Sequence, residues 1–585
     1  MNNERTHDLF EPVIEDMELP PVPISTLSNR ALWENFGVKY NLFSSAVIFM
    51  FTRLSGFSQF YKELENQIDY YLRTVDTRSS AVFNPVIAAS LVIEDAPANV
   101  NAYERAAGLI LAAREFYENI QNSNISPDTH KGIPLEMGEY PNFFSTSQVI
   151  ENGRARLFKS AQTDSLTIIV KKQIFILPLW KDGATVSYSS LCQVLEQIAE
   201  EADRNSKTNN NSPAILTAAP NAFQIKAFSD LQKEAVNSQS MDKMKHSFFT
   251  VILEPDQYPE GNEEVLRKGH ASNYANRWFH SSFQMISYGN GKACFICSFS
   301  AYLTGNVMVR GSSEIQKRAN KYYQNQSQPA KEITYHYDKL QWQVKRETIE
   351  NARTVLHKFL YEEKATFTID GKGTQWFEAN QLKPVPTFTA ALQIALHRMI
   401  TSGVRILQFM SMSKYCCMDV ITGNVSTADL ISFADYMTSD DKDKDHARKL
   451  LDKAIASQVE AIRQCRSFLP LEEIIPLYFS TQPKWKKRWT ALWAIVGGFI
   501  LRLFGLYKMR PREVVISHPE IYKEIPLIGR PGVRIPYVKY FGLHYQIHEQ
   551  YTTITMMPGM HWNKTNVETV RAISDALDEI GDIVH

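Results

Sequence analysis

The sequence predicts an α/β protein built from two domains. Its 585 residues exceed the size at which a single hydrophobic core keeps growing. Hydrophobic residues make up 44% of the chain and charged residues 22%, values typical of soluble globular proteins. Apolar runs of strand type alternate with amphipathic runs of helix type, which favours α/β or α+β layers over an all-helical or all-β fold.

Hydrophobic spacing predicts the individual elements. Apolar residues at intervals of three and four predict helices, and short runs rich in Ile and Val predict strands. The predicted helices are residues 35–71, 101–121, 190–202, 346–362, 389–401, 447–469 and 567–580. The predicted strands are residues 166–170, 174–177, 248–253, 283–288, 293–299 and 551–556.

Charge and cysteine content narrow the classes of function. Lys and Arg together number 63, as do Asp and Glu, so no global field attracts nucleic acid and we expect no nucleic-acid partner. Six scattered cysteines predict neither a disulfide framework nor a metal site. Cys294 and Cys297 form a CxxC, but the surrounding ACFICSF is typical of a buried strand. The N-terminal sequence lacks the pattern of a secretory signal, which predicts residence in the cytosol.

Three stretches, in order along the chain, resemble the choline/carnitine O-acyltransferase family. Residues 134–140 (PLEMGEY) resemble that family's G-x-P-L-C-M-x-Q-Y segment. Residues 276–279 (NRWF) are identical to the core of its N-R-W-F-D-K motif, and residues 391–398 (ALQIALHR) are similar to its A-L-Q-L-A-Y-Y-R helix. The shared order and spacing of these motifs identify the chain as a member of the family.

The resemblance implies a particular architecture. The family has two similarly folded α/β domains of the coenzyme A-dependent (chloramphenicol acetyltransferase-like) type around a central tunnel. Carried over to this chain, the first domain spans residues 82–371, and the second combines residues 1–81 with 372–585. Coenzyme A or an acyl-carrier thioester is the acyl donor that the resemblance implies, and no other cofactor is required.

The position of the family's general base is the main departure. In the family, a histidine in an E-H-S-x-x-D-G motif deprotonates the acceptor hydroxyl or thiol. Aligning that motif from Gly291 places Ser298 and Ser300 on either side of Phe299, which takes the position of the base. A phenylalanine cannot accept a proton, so we expect no catalytic residue at this position.

Other family positions change in the same direction. The Y-E-S-x-S-T-R segment resembles residues 409–415 (FMSMSKY), which keep Ser411 and Ser413 as candidate substrate-binding residues. The S-T-S motif that supports the oxyanion falls on residues 528–533, which read IGRPGV. Of the lysines that meet coenzyme A, the resemblance leaves Lys383.

Two histidines near the vacated position could substitute for the base. His280 follows NRWF directly, and His270 lies ten residues before it. On a helix or turn leading to the strand, each is interpreted as a surface or supporting histidine rather than a catalytic one. Ser298 and Ser300 would still need a base, and the chain has no G-x-S-x-G elbow.

Residues 484–512 form an insertion relative to the family pattern. Its apolar run is interrupted by Arg502 after twelve residues, too short for a helix that crosses a bilayer. Cations mixed with aromatic rings are typical of a segment in the membrane interface, but packing against the protein's own core or against a partner protein would have the same composition. The candidate contact residues are Trp485, Lys486, Lys487, Arg488, Trp489, Trp493, Phe499, Arg502, Phe504 and Tyr507.

Two functions remain open from the sequence. The first is a catalytically degenerate acyltransferase-like protein that binds an acyl-chain ligand or a partner protein, with peripheral membrane association. The second is an active acyltransferase with altered donor or acceptor chemistry. A purely structural subunit that docks through the insertion is a third interpretation of the same residues.

Overall fold

The computed structural model describes most of the chain. The described residues are 9, 13–14, 17–24, 41–75, 88–97, 99–181, 184–204, 212–324, 336–400, 404–418, 420–440, 443–469, 471–504, 514–519, 525–534, 538–560 and 562–585. Within them, two large mixed β-sheets carry helices on their faces. The predicted α/β class is therefore confirmed.

The strands are numbered in chain order. They are β1 Ala88–Val92, β2 Thr129–His130, β3 Ile133–Pro134, β4 Thr146–Glu151, β5 Arg154–Lys159, β6 Ser165–Val170, β7 Gln173–Pro178, β8 Trp180–Lys181, β9 Ala184–Thr185, β10 Thr250–Glu254, β11 Phe283–Tyr288, β12 Ala293–Ser298, β13 Asp338–Lys339, β14 Thr366–Asp370, β15 Ile406–Ser411, β16 Val420–Asn424, β17 Val514–Ser517, β18 Leu527–Gly529, β19 Phe541–Ile547 and β20 Tyr551–Pro558.

The helices are numbered in the same way. They are α1 Leu42–Leu54, α2 Phe57–Thr74, α3 Ala102–Gln121, α4 Tyr188–Arg204, α5 Asn221–Leu231, α6 Ala235–Lys245, α7 Asn262–Ala271, α8 Gly305–Gln324, α9 Arg346–His357, α10 Thr374–Ala379, α11 Pro384–Met399, α12 Ala428–Met437, α13 Lys444–Cys465, α14 Leu471–Thr481, α15 Lys484–Leu503 and α16 Asn566–Val584. Short 3₁₀ turns lie between several of them, among them Phe299–Ala301 after β12.

The first sheet has the strand order β13-β7-β6-β10-β11-β12-β1-β18 in the described residues. Its centre is parallel, with β10 between β6 and β11, and the remaining pairs are antiparallel. Strands β10, β11 and β12 are buried along their whole length, as expected for a sheet covered on both faces. Helix α3 lies on one face, and α7 belongs to the apolar cluster of the other.

Helix α3 illustrates how the sequence specifies the first half. Asn101 and Glu104 form a reciprocal capping box at its start, which satisfies backbone N–H groups that the helix leaves free. Twelve of its residues are buried, so nearly the whole helix lies within the core. At Gly108, a Cβ atom would stand 2.4 Å from the ring of Tyr323, so only glycine allows α3 and α8 to approach so closely.

The second sheet has the order β14-β20-β19-β17-β15-β16. Parallel pairing of β15 with β17 and of β17 with β19 again occupies its centre. Its apolar core includes buried residues of α11, α13 and α16, together with Phe57, Phe60 and Tyr61 from α2. The N-terminal helices therefore pack with the C-terminal half of the chain, as a discontinuous domain requires.

Two strands pair across the predicted domain ranges. Strand β14 lies within 82–371 but pairs with β20 in the second sheet, and β18 lies within 372–585 but pairs with β1 in the first. Three predicted helices differ from the structure. Residues 346–362 form a helix only to His357, because Leu360 pairs with Val533 in an isolated β-bridge. Residues 447–469 form a helix only to Cys465, because Leu469 pairs with Ile24 in another bridge. Residues 35–71 were predicted as one helix, but α1 and α2 are separated at Gly56, whose φ is 76°. Pairing between distant segments determined the sheets to which β14 and β18 belong and the ends of the shortened helices. The spacing of apolar residues contains no information about such pairing.

Candidate functional site

Phe299 stands at the end of β12, where the resemblance places the family's base. Strand β12 ends at the buried Ser298, whose N–H donates to the Ser282 carbonyl over 2.8 Å. Phe299 begins the 3₁₀ turn and is half-buried, as is Ser300. The guanidinium carbon of Arg530, which follows β18, lies 5.2 Å from the centre of the Phe299 ring. A cation–π contact therefore occupies this strand end, with no proton acceptor supplied by Phe299.

His270 is not a surface residue, which corrects the sequence-based interpretation. It lies in α7 with no solvent exposure, and its Nδ1 is 2.9 Å from the Ser90 hydroxyl of β1. Its Nε2 is buried without a hydrogen-bond partner among the described residues. Burial, reinforced by Arg530 and Arg277, lowers the pKa of His270 to about 3. The imidazole is therefore neutral at pH 7 and a weak base.

His280 is also in the interior. Its Nε2 is 2.8 Å from the Gln224 side-chain oxygen, and its ring lies against those of Phe228 and Trp278. Burial lowers the pKa of His280 to about 3. The ring lines a cavity of about 250 Å³ between β4, α5 and α6, whose lining includes no residue of the Phe299 turn. His280 thus packs in the first domain's core.

The NRWF stretch is structural in this chain. Arg277 is fully buried and donates 2.7 Å to the Glu254 carboxylate at the end of β10. It also donates to the carbonyls of Gly269, Lys268 and Asn276. A buried charge needs such complete pairing. The identical motif therefore connects α7, the end of β10 and the start of β11.

The PLEMGEY segment also works through hydrogen bonds to its neighbours. The buried Glu139 accepts from the Thr304 N–H over 2.9 Å, which fixes the segment between Phe299 and α8. Tyr140 donates 2.7 Å to Asp128, and Arg310 of α8 makes an ion pair with the same carboxylate. The segment that resembles the family motif is thus hydrogen-bonded to Thr304, just after the turn at Phe299.

The three candidate substrate-binding residues occupy two different environments. Ser411 and Ser413 are within hydrogen-bonding distance of each other, 2.8 Å between hydroxyl oxygens. The Ser413 carbonyl accepts from the N–H of Glu136, which brings this loop against PLEMGEY. Lys383 precedes α11 as its N-cap residue, with an exposed side chain. The structure therefore brings the serines, but not the lysine, into contact with another family-like segment.

Two further histidines, His518 and His544, lie close together in the second half of the chain, and no motif had indicated them. His544 on β19 has its Nδ1 2.9 Å from the Ser517 hydroxyl, and its Nε2 is buried without a partner among the described residues. Burial, with His518 and Arg530 adding to it, lowers the pKa of His544 to about 3. His544 lies near Arg530 because β18, which precedes Arg530, contacts the second sheet. No sequence pattern indicates this contact.

The cysteines divide into two groups. Cys294 and Cys297 are buried in β12, as predicted, and belong to the apolar clusters of opposite sheet faces because side chains alternate along a strand. Burial raises the pKa of the Cys294 thiol to about 12. Cys416 and Cys417, by contrast, stand 2.8 Å apart at sulfur in the loop after β15. Their adjacency in the sequence was the signal that could have drawn attention to them.

Within the insertion, Lys484–Leu503 form helix α15, and α1 packs beside it; residues 505–512 lie outside the described residues. The Phe43 and Phe504 ring centres are 4.8 Å apart, and Gly497 faces Val47. We call α1 and α15 together the apolar helix pair. Its exposed apolar side chains are Leu42, Phe43, Phe49, Met50, Leu54, Trp485, Trp489, Leu492, Ile495, Val496, Phe499, Leu503 and Phe504. The sequence predicted a helix over residues 35–71 and a contact segment over residues 484–512, but no pattern indicated that the two lie side by side.

Most of the predicted contact residues lie on this pair. Trp485, Arg488, Trp489, Phe499, Arg502 and Phe504 are exposed, and Lys486, Lys487 and Trp493 are half-buried. Burial, with Arg154 nearby, lowers the pKa of Lys487. Tyr507 lies outside the described residues. Among those residues, every helix is too short or too polar to cross a membrane.

Known proteins resemble this chain in sequence and structure. The family model described as Choline/Carnitine o-acyltransferase matches residues 68–467. Carnitine O-acetyltransferase of Rattus norvegicus is 26% identical over 210 residues, covering 34% of this chain and 33% of its own. The mitochondrial carnitine O-acetyltransferase of Saccharomyces cerevisiae is 24% identical over 202 residues, covering 34% and 30%. These alignments span about a third of the length of each relative.

Solved structures match more of the chain at lower identity. Trichothecene 15-O-acetyltransferase from Fusarium sporotrichioides aligns with a TM-score of 0.42 and 9% identity, covering 87% of this chain and 94% of that one. The first condensation domain of the calcium-dependent antibiotic synthetase aligns with a TM-score of 0.39 and 9% identity, covering 88% and 94%.

Proposed function

Because the chain belongs to the choline/carnitine O-acyltransferase family, we propose that it is a catalytically degenerate member that binds an acyl ligand at a membrane surface. The acyl group would arrive as a thioester of coenzyme A or of an acyl carrier, the donor class that the family uses. The chain would hold this ligand without transferring the acyl group to a carnitine or choline hydroxyl.

The observation that carries the proposal is the contact between Phe299 and Arg530 at the end of β12. An acceptor hydroxyl must lose its proton to attack a thioester, and removing a general base costs ~10²–10⁴-fold in rate. The buried His270 and His280 do not replace that base, because a pKa of about 3 makes each a poor proton acceptor at pH 7. Both imidazoles also have assigned packing roles.

Purified protein incubated with acyl-coenzyme A and either carnitine or choline tests this proposal. We expect no ester above the rate of a protein-free blank. Rapid ester formation that is abolished by Phe299→Ala or His280→Ala would overturn it. Calorimetry with a thioether analogue of acyl-coenzyme A, which cannot react, tests ligand binding separately, and the proposal requires a saturable heat of binding.

The second candidate is an active enzyme with altered chemistry. The observation that favours it is the Nε2 of His544, which forms no hydrogen bond among the described residues. Burial lowers the pKa of His544 to about 3, as it does for His270 and His280, so this candidate requires a conformation in which the imidazole is solvated. Mass spectrometry of reactions with acyl-carrier donors across a broad panel of acceptors separates the two candidates, since an unchanged donor throughout would eliminate the second.

The proposed membrane contact rests on the apolar helix pair. An exposed apolar patch of this extent is unusual on a monomeric soluble protein. The two helices together contain Arg53, Lys484, Lys486, Lys487, Arg488 and Arg502, and no Asp or Glu. Apolar side chains that enter the acyl boundary and cations that meet anionic headgroups are the two features of a helix lying in the interface. Partner-protein binding through the same face is the competing interpretation.

Flotation with liposomes containing phosphatidylserine tests the contact. Ile495 is 69% exposed and Phe499 66% exposed, so replacing both by Glu leaves the core unchanged. Each loses about 1.5 kcal/mol or more of apolar burial, which predicts a roughly 100-fold weaker partition. Val567→Glu on α16 is the matched control, since Val567 is 57% exposed but lies away from the pair. Equal flotation of both variants would contradict the membrane contact, and so would flotation of a chain lacking residues 484–512.

A further inference from the structure

Two adjacent thiols form a charged cluster with side chains from distant parts of the chain. Cys416 and Cys417 lie in the loop after β15, Arg73 in the last turn of α2, and Glu136 in the PLEMGEY segment. The Arg73 guanidinium donates to the Cys416 sulfur over 3.2 Å, and the two sulfurs are 2.8 Å apart. We call these four residues the cysteine cluster.

The hydrogen bonds assign different roles to the two thiols. Glu136 accepts from the backbone N–H groups of Cys417, at 2.6 Å, and of Gly138, at 2.8 Å. It therefore fixes the Cys417 backbone, whose φ of 58° is left-handed and unusual outside glycine. The two sulfurs are within hydrogen-bonding distance, and either thiol can be the donor. When Cys417 donates, Cys416 accepts both this bond and the one from Arg73.

Both bonds favour a negative charge on Cys416. The hydrogen bond from Cys417, followed by the Arg73 charge, lowers the pKa of Cys416 despite its partial burial, whereas the pKa of Cys417 is raised. Cys192 provides an internal comparison. It is also half-buried, but burial raises its pKa to about 12. Of these half-buried thiols, Cys416 is the one that its surroundings stabilise as a thiolate.

A metal ion is the obvious alternative occupant. Ligand atoms of Glu136, Cys416 and Cys417 lie within 4.8 Å of one another. The Arg73 guanidinium, however, stands against the Cys416 sulfur, where it would repel a cation, and backbone N–H groups already occupy both Glu136 oxygens. The electrostatics favour an anionic nucleophile over a metal centre.

The cysteine cluster lies next to the turn that replaces the family's catalytic motif. Cys417 packs in one small apolar cluster with Leu9 and Tyr302, and Leu72 and Leu157 pack against it. Tyr302 follows Phe299 by three residues and closes the same 3₁₀ turn. Cys416 is half-buried beside this apolar cluster, so a short acyl group bound there would contact apolar side chains.

We propose that Cys416 accepts the acyl group of a thioester and holds it covalently. The Cys416 thiolate attacks the thioester carbonyl carbon, a new carbon–sulfur bond forms, and the bond to the donor sulfur breaks. The donor leaves as a thiolate, which takes a proton from water. Exchange between thiolates needs no general base, so it remains available where Phe299 leaves an alcohol acceptor inactive. This inference rests on the proposed binding of acyl thioesters.

Intact-mass measurement with acetyl-coenzyme A, under a phosphine reductant that keeps all thiols reduced, tests the proposal. We expect the full chain to gain one acetyl group, mapped to Cys416 and released by hydroxylamine. Cys416→Ser should not be acetylated, and the control Cys192→Ser should be acetylated as fast as the unaltered chain. Acetylation at Cys192, or none at Cys416, would overturn the proposal.

The role of Arg73 is tested by a pH profile. Arg73→Gln removes the charge that stabilises the thiolate and should slow both acetylation and iodoacetamide alkylation of Cys416 about tenfold at pH 7. Arg73→Lys keeps the charge and should recover most of the rate. In Arg73→Gln the alkylation profile should move to higher pH, whereas an unmoved profile would contradict the assignment.

The two proposals fail in different ways. If the unreactive thioether analogue of acetyl-coenzyme A binds but Cys416 remains unacetylated, this inference is wrong and the proposed function stands. If the analogue does not bind, the proposed function is wrong as well.

Discussion

The strand end at Phe299 and the apolar helix pair differ in what their side chains contact. At the Phe299 turn, Glu139 of the PLEMGEY segment accepts from the Thr304 N–H, and Arg530 lies over the aromatic ring. Elsewhere in the same half of the chain, Arg277 is buried and paired with Glu254 at the far end of β10. On the helix pair, large apolar side chains face solvent, with Leu42 exposed to 92% and Leu503 to 71%. Side chains of the first region contact one another, and those of the second are exposed to solvent.

This difference fits the proposal that the chain keeps the family scaffold without the family's reaction. The residues that match the family motifs most closely, NRWF, form buried contacts that the fold requires whether or not a reaction takes place. The exposed apolar surface lies on α1 and α15, helices at the edge of the second core.

The largest expected effect comes from breaking the interior region. Arg277→Met leaves the Glu254 carboxylate buried without its charged partner, which should lower the free energy of unfolding by ~3–5 kcal/mol. Urea denaturation followed by circular dichroism measures this change. The control is Arg267→Met, whose ion pair with Glu263 is solvent-exposed at 3.5 Å. That pair should contribute at most ~1 kcal/mol. Comparable losses in the two variants would show that NRWF has no special structural role.

A second test of the interior region uses pH. His270 and His280 have pKa values of about 3 in the fold, against an ordinary value of about 6.5 in the unfolded chain. The unfolded state therefore binds more protons between these values, and stability must decrease as the pH falls from about 6.5 towards 3. Each histidine contributes a slope of about 1.4 kcal/mol per pH unit.

Replacing one histidine isolates its share of this slope. His280→Gln removes one titrating group, so its unfolding free energy, measured in urea at several pH values, should depend less steeply on pH than that of the unaltered chain. A slope that is unchanged between pH 6 and 4 would mean that His280 is already accessible to protons in the folded state.

The smallest expected effect concerns the charges of the helix pair. Arg488 and Arg502 are exposed, and each should contribute about 1 kcal/mol to binding at an anionic surface. The double variant Arg488→Gln, Arg502→Gln should partition roughly 30-fold more weakly into phosphatidylserine vesicles and be unchanged on neutral ones. Arg346→Gln on α9 is the control for net charge. A loss on neutral vesicles as large as on anionic ones would refute the electrostatic part of the account.

Local patterns predicted most helices and strands. They did not predict which distant segments pair or pack together. Helix α3 was predictable because its capping box and apolar spacing are contained in consecutive residues. The pairing of β18 with β1 joins segments more than 400 residues apart, and no local pattern encodes it. The same limit applies to the packing of α1 beside α15, because no local pattern indicates that the predicted helix over residues 35–71 contacts the insertion.

The sequence predicted which residues belong to the candidate site, but not how buried they are or what they contact. The family motifs located Phe299, Ser411 and Ser413 by position in the sequence. Burial of His270 depends on α7 packing against β1 and β12, so the sequence could not distinguish it from a surface histidine. The cysteine cluster combines residues from three distant segments, and its charge distribution became apparent when these were brought together.

We propose that this chain does not catalyse base-dependent acyl transfer to a hydroxyl. A time course of acetylcarnitine formation from acetyl-coenzyme A tests this directly, comparing the unaltered chain with His544→Gln and with a protein-free blank. We expect the same rate in all three. Acetylcarnitine formation well above the blank that disappears in His544→Gln would contradict it, because the buried imidazole near Arg530 would then be acting as the base.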